Sequence, residues 1–329
     1  MEPHRRAAAE RLLGECGGHE APTHLKRAPV SDKVCPQPRQ LGIVLELCED
    51  GTTDDRLDEG FEVVESETGV VDLSEEGLQR FPNDLFDRSP HLRELILFGN
   101  ELVSLPKRMA VFAKTLVELH LYENKLVEIP DSIGALTQLK GLYLHKNCLV
   151  RLPASIGALT KLEELSLGDN ALEELPPLGN LKRLQLLEVE DNKLTTLPAS
   201  LCTLSTLRTL NLENNQLTAL PASLGSLVAL CELNVSANNI VALPESIGAL
   251  TRVAKLTLFG TALKELPESI VELQPAELGL PSTFAHLLGR GVSCADGGGA
   301  VQSLTIRKWF AKLVHSQWCS VSLVRCVPS

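Results

Sequence analysis

Between residues 82 and 267 a proline returns every 22 to 24 residues, at Pro82, Pro106, Pro130, Pro153, Pro176, Pro198, Pro221, Pro244 and Pro267. Six residues ahead of seven of these prolines stands an asparagine: Asn100, Asn124, Asn147, Asn170, Asn192, Asn215 and Asn238. Glu76 and Thr261 hold that place in the first and last copies. A chain of 329 residues could hold two or three ordinary domains, but self-similarity at this period means one small unit repeated. Such a unit cannot bury its own apolar face and must stack on its neighbours.

From residue 92 each copy reads Leu-x-x-Leu-x-Leu-x-x-Asn-x-Leu-x-x-Leu-Pro. The alternating leucines, such as Leu119 and Leu121, suit a short strand with one buried face, so each copy is expected to add one strand to a parallel sheet. The asparagine follows where the chain must turn, and its amide can satisfy backbone groups of that turn inside the stack. Stacked copies predict an Asn ladder; the alternative is that these amides face a partner. The proline fixes φ at the start of the outer segment. In SIGAL, Ile133 and Leu136, or Ile156 and Leu159, then turn inward. With only 4% aromatic residues, the core is expected to be aliphatic.

This pattern resembles the leucine-rich repeat, and its LPxSIGxL form resembles the intracellular Ras-group class of plant and animal signalling scaffolds. The resemblance spans residues 68–281, about nine copies. It implies an α/β solenoid bent into an arc, with a parallel sheet on the concave face and short helices and turns on the convex face. The weak copies at 68–90 and 253–281 are expected to be the ends. The copy built on Asn170 is one residue short at Pro176-Pro177-Leu178-Gly179, which predicts a tightened convex loop. The class implies a protein partner such as a small GTPase or a phosphatase.

Strand alternation identifies the residues that face away from the core, at six, four and two positions before each asparagine. The position four before gives Ile96, His120, Tyr143, Ser166 and Glu188; the position two before gives Phe98, Tyr122, His145, Gly168, Glu190 and Glu213. Both tyrosines of the chain lie here on adjacent repeats. Aromatic side chains held on a rigid sheet make effective interaction anchors, so Ile96, Phe98, His120, Tyr122, Tyr143 and His145 are the candidate partner-binding patch. Ordinary packing between strands is the alternative. Two histidines in the patch predict an affinity that changes between pH 7.5 and 6. Farther along the face turns acidic, through Glu164, Asp169, Glu188, Glu190, Asp191 and Glu213. This stretch complements a basic partner or serves as a solvated charged face.

Residues 1–67, rich in charge, Pro and Gly and without sustained periodicity, are expected to be mostly disordered. In 282–329, Ile306, Trp309, Phe310 and Leu313 recur at helical spacing with Arg307, Lys308 and Lys312 between them. This basic tail suits weak membrane-surface contact, a partner helix or docking on the acidic array; a stretch without structure of its own is equally open. A net charge of −11 argues against nucleic acid as a partner. No apolar run reaches the roughly 18 residues of a spanning helix, so no integral membrane segment is expected. The start lacks the apolar stretch of a secretory signal, and nine scattered cysteines without a CxxC pair indicate reduced thiols. Of these, Cys202 and Cys231 are expected to be buried. The expected location is the cytoplasm.

A catalytic reading needs a nucleophile with its base, paired carboxylates in a pocket, metal-ligand spacing or a phosphate loop, and the sequence holds no GxxxxGK[ST], HExxH or GxSxG. His120 and His145, one repeat apart on an open face, make a poor metal or acid/base pair. The expectation is a non-enzymatic adaptor in signal transduction, with no cofactor and no metal. The alternative is a substrate-recognition or regulatory subunit of a ubiquitin ligase, kinase or phosphatase complex.

Overall fold

The computed structural model describes residues 69–281 apart from 90, 274 and 276. The expectations for residues 1–67 and 282–329 lie outside the described residues. The described chain forms one open parallel sheet of ten three-residue strands in sequence order. They are β1 (Val70–Asp72), β2 (Glu94–Ile96), β3 (Glu118–His120), β4 (Gly141–Tyr143), β5 (Glu164–Ser166), β6 (Leu186–Glu188), β7 (Thr209–Asn211), β8 (Glu232–Asn234), β9 (Lys255–Thr257) and β10 (Glu277–Gly279). The fold is a leucine-rich-repeat solenoid, with one strand more than the nine copies counted by their prolines. β10 follows the last proline segment and pairs with β9.

Each strand buries its middle residue, a leucine in all but β1, where it is Val71, and Leu95, Leu119 and Leu187 stand at 0% exposure. Most flanking residues stay partly accessible, while Gly141, Ser166 and Gly279 are buried. Behind the sheet lies a continuous aliphatic core in which Ile133, Leu136, Ile156 and Leu159 are all fully buried. The convex side is built mainly of 3-10 turns, most of them opened by an extended proline, as with Pro130 before Asp131–Ala135, Pro153 before Ala154–Ala158 and Pro244 before Glu245–Ala249, whereas Leu224–Ser226 follows Ser223. The proline is thus the cap and not the first helical residue; its fixed φ sets the entry angle. No helix forms at Pro176-Pro177-Leu178-Gly179. The one α-helix among the described residues, α1 (Leu85–Arg88), lies in the first repeat. Its Phe86 stacks on Phe81 and on Phe112 of the second repeat, with ring centroids 5.4 and 5.3 Å apart.

The glycine of SIGAL has a packing cause. A Cβ added to Gly248 would stand 2.4 Å from the Ser269 carbonyl oxygen, and one on Gly134 would stand 2.5 Å from that of Ser155. Successive 3-10 turns touch backbone to backbone at this point, and only glycine permits it. Cys202 is buried, whereas Cys231, directly before β8, is only half-buried, its thiol donating to Ala229 O at 3.4 Å. No helix among the described residues is long and apolar enough to cross a membrane.

The turn after each strand carries two linked features. The residue before each asparagine, and before Glu76 and Thr261 in the same place, sits in the left-handed region, with φ between 51° and 61° at Glu75, Glu123, Lys146, Asp169, Asp191, Asn214 and Ala237, and glycine at Gly99 and Gly260. That conformation costs a non-glycine residue on the order of 1 kcal/mol, and the asparagine side chain offsets it. Asn192 Oδ1 accepts from Leu172 N at 2.9 Å in the preceding repeat, while Nδ2 donates to Leu167 O at 3.0 Å and Val189 O at 3.2 Å. Asn100, Asn124, Asn147, Asn170, Asn215 and Asn238 repeat this arrangement. At the ends it decays: Thr261 only donates to Leu258 O at 2.8 Å, and Glu76 is exposed.

Candidate functional site

The parallel register sets the accessible residues of neighbouring strands side by side: Ile96 beside His120, and His120 beside Tyr143. The strands lie about 4.8 Å apart, little more than a ring-stacking distance, so flat side chains in one column meet face to face. His120 stacks on Tyr143 with centroids 4.6 Å apart and planes at 15°. One column over, Phe98 stacks on Tyr122 at 4.6 Å and 6°, and Tyr122 stacks on His145 at 4.5 Å and 9°. The columns touch where His120 meets the edge of Tyr122 at 6.4 Å.

The rings therefore do both things that the sequence reading set against each other. Their faces pack between strands, at about 0.5–1.5 kcal/mol per pair, and they form a rigid wall with its outer side on the sheet face. Ile96, Phe98, His120, Tyr122, Tyr143 and His145 are each half-buried in it.

Polar contacts hold the wall in place. Gly141 leaves the space that the Tyr143 ring occupies, since a Cβ there would stand 2.8 Å from Cε2 and from the hydroxyl oxygen. The Tyr143 hydroxyl passes over it to donate to Glu164 Oε2 at 2.7 Å. Burial, then this bond to Glu164, pushes the Tyr143 phenol up, and burial raises the Glu164 carboxyl. His145 Nδ1 lies 3.2 Å from Ser166 Oγ. Burial first, then the Lys146 charge, lowers the His145 imidazole to about 4. His145 is therefore neutral throughout pH 6 to 7.5, which corrects the expectation that it titrates there: an imidazole stacked under a tyrosine has lost the water that would solvate its charge.

The acidic stretch meets the ring wall at Glu164, which accepts from Tyr143, and continues past it along β6 to β8. Glu188, Glu190 and Glu213 are half-buried. Asn211 Nδ2 donates to Glu190 Oε2 at 3.1 Å, and Asn234 Nδ2 donates to Glu213 Oε2 at 2.9 Å. Glu190 folds over Gly168, where a Cβ would stand 2.4 Å from its Oε1. Burial, then the charges of Glu188, Asp191 and Glu213, raises its carboxyl to about 7. The folded chain thus binds this proton more tightly than the unfolded chain. The contribution of Glu190 to stability is fully present below its unfolded pKa and is lost as pH rises through 7. Glu190→Gln is expected to stabilise the fold by about 1 kcal/mol at pH 8, after allowance for solvent screening, and to change nothing near pH 4.5; urea midpoints at the two pH values check it.

The sequence reading did not single out the column six before the asparagines as a group. It carries Glu94, Glu118, Glu164 and Glu232, and the signal was there in the recurring Glu before the strand leucine. Across the three outward columns of the nine asparagine-register repeats, eight acids (Asp72, Glu94, Glu118, Glu164, Glu188, Glu190, Glu213 and Glu232) face one base, Lys255. Lys255 pairs with Glu232 at 2.6 Å.

The family model described as "Leucine rich repeat" matches residues 114–172 and 205–263. Among solved structures, the chain is 33% identical to a leucine-rich-repeat protein of Leptospira interrogans, with a TM-score of 0.56, over 62% of this chain and 57% of that one. It is 31% identical to the Arabidopsis receptor kinase HAESA, solved in complex with the peptide hormone IDA and a co-receptor, with a TM-score of 0.57, over 69% of this chain and 41% of that one. The plant peptide hormone receptor RGFR1, solved in complex with RGF2, is 26% identical, with a TM-score of 0.51, over 59% of this chain and 36% of that one. The chain thus spans between 36% and 57% of the length of these proteins.

Proposed function

We propose that this leucine-rich-repeat protein is a non-enzymatic binding scaffold that engages a protein partner through its sheet face. The ring wall of Phe98, His120, Tyr122, Tyr143 and His145 is the anchor, and the acidic row of Glu188, Glu190 and Glu213 complements a basic stretch of the partner. The observation that carries this reading is the face-to-face stacking of five rings on three successive repeats. Rings held in this way are already ordered, so association loses little side-chain entropy. An accessible aromatic cluster beside uncompensated charge is the composition of an interaction surface. The solved receptors named above are recorded with peptide ligands on the same architecture, which supports the reading by analogy. A role in intracellular signal transduction, with a small GTPase or phosphatase as partner, is the form of this proposal that the LPxSIGxL resemblance favours.

The test is affinity capture from cell lysate with the full chain beside the Tyr122→Ala/Tyr143→Ala double variant, read by mass spectrometry. Both tyrosines are half-buried on the sheet face and lie outside the leucine core, so the fold is expected to survive, which a circular dichroism spectrum checks. Loss of two such anchors is expected to weaken binding on the order of 100-fold. A partner captured equally by both chains would move the interaction off the ring wall.

A further inference from the structure

Glu94 and Glu118 are register partners on β2 and β3, and His120 stands two residues beyond Glu118 on the same face. One ligand atom from each of the three lies within 4.8 Å of the others. His120 Nε2 is 3.6 Å from Glu94 Oε1 and 3.4 Å from Glu118 Oε2. Although that nitrogen is shielded from solvent, it makes no hydrogen bond. The imidazole cannot simply swing away, because its face lies on Tyr143 and its flank on Tyr122.

We propose that Glu94, Glu118 and His120 form a binding site for a zinc-class divalent cation. Zinc binds imidazole nitrogen and carboxylate oxygen at about 2.0–2.2 Å in tetrahedral geometry, which places neighbouring ligand atoms about 3.4 Å apart. The two separations from Nε2 are longer than an ordinary hydrogen bond; they suit an ion pair only when the imidazole is protonated, and they match that tetrahedral edge when it is neutral. Three protein ligands leave the fourth position open on the sheet face for water or for a group from a bound partner. The nitrogen disfavours magnesium and calcium, which take oxygen ligands. The ligands stand at i, i+24 and i+26 on two neighbouring repeats, so no compact metal motif appears in the sequence. The site stands whether or not the face binds a protein.

The test is zinc titration of the full chain by calorimetry, beside His120→Phe, Glu118→Gln and Glu232→Gln. His120→Phe keeps a flat ring on Tyr143 while removing the nitrogen. Glu232 occupies the equivalent column on β8, away from the site, and its variant reports adventitious binding to surface carboxylates. The unmodified chain is expected to bind one zinc ion more than His120→Phe, Glu118→Gln to bind that ion at least ten-fold more weakly, and Glu232→Gln to match the unmodified chain. Equal stoichiometry and affinity in the unmodified chain and His120→Phe would overturn the proposal, as would an equal loss in Glu232→Gln. Should a variant not fold, the thermal midpoint of the unmodified chain decides: zinc at tens of micromolar is expected to raise it, and an unchanged midpoint overturns the site.

Discussion

Asn192→Leu is expected to destabilise the array by about 3–5 kcal/mol. Leucine fills a similar volume but leaves Leu172 N–H with no acceptor inside the stack, since Asn192 Oδ1 is its partner at 2.9 Å. The acceptors suffer less. Leu167 O also receives Asn170 Nδ2, and Val189 O also receives Asn215 Nδ2, so each keeps one donor. The cost is therefore one orphaned buried donor plus the lost bonds. Because each strand carbonyl is shared between two rungs, Asn192→Leu combined with Asn215→Leu should cost more than the sum of the two, as removal of the second rung strips Val189 O entirely. Urea denaturation of the two single variants and the pair, followed by far-ultraviolet circular dichroism, measures both quantities. A cost below 1 kcal/mol for Asn192→Leu would show that water satisfies the turn and that the ladder is ornamental.

Leu165→Asp should be more damaging still. Leu165 is the middle residue of β5 and fully buried. The change removes about 1.5–3 kcal/mol of apolar burial and adds the larger penalty of an unpaired buried carboxylate. In a solenoid each repeat touches only its neighbours, so the damage interrupts the array at one joint without averaging over the whole molecule. The expected result is loss of cooperativity: two transitions in the denaturation curve in place of one, and limited proteolysis that cuts between about residues 150 and 180 while larger fragments persist. A single transition with an unchanged midpoint would mean that the stack tolerates a charge at its centre, contrary to the continuous aliphatic core.

Both predictions rest on features legible in the sequence because they are periodic. A buried leucine every second residue and a turn asparagine every 22 to 24 residues recur because each repeat solves the same local problem. Reading one repeat therefore reads the others. The copies that depart from the consensus show its limits. The tenth strand, Glu277–Gly279, carries neither the asparagine nor the proline, and it pairs because β9 presents an edge with open hydrogen-bonding groups. The left-handed residue before each asparagine was equally hard to see, since Glu123, Lys146 and Ala237 adopt it without a glycine to announce it.

The sequence by itself determined the solenoid, the single parallel sheet, the inward leucines and the outward columns, because strand alternation and a fixed repeat length leave no other way to bury the apolar face. Only the tertiary structure decided how side chains of different repeats meet. Whether Tyr122 stacks on His145 or stands clear of it, and whether Tyr143 reaches Glu164 across Gly141, depends on strand spacing and side-chain rotation. So does the meeting of Glu94, Glu118 and His120 around one shielded nitrogen. Protonation follows from those contacts, for a histidine with a tyrosine on its face and a glutamate folded over a glycine lose water that neither loses in the extended chain.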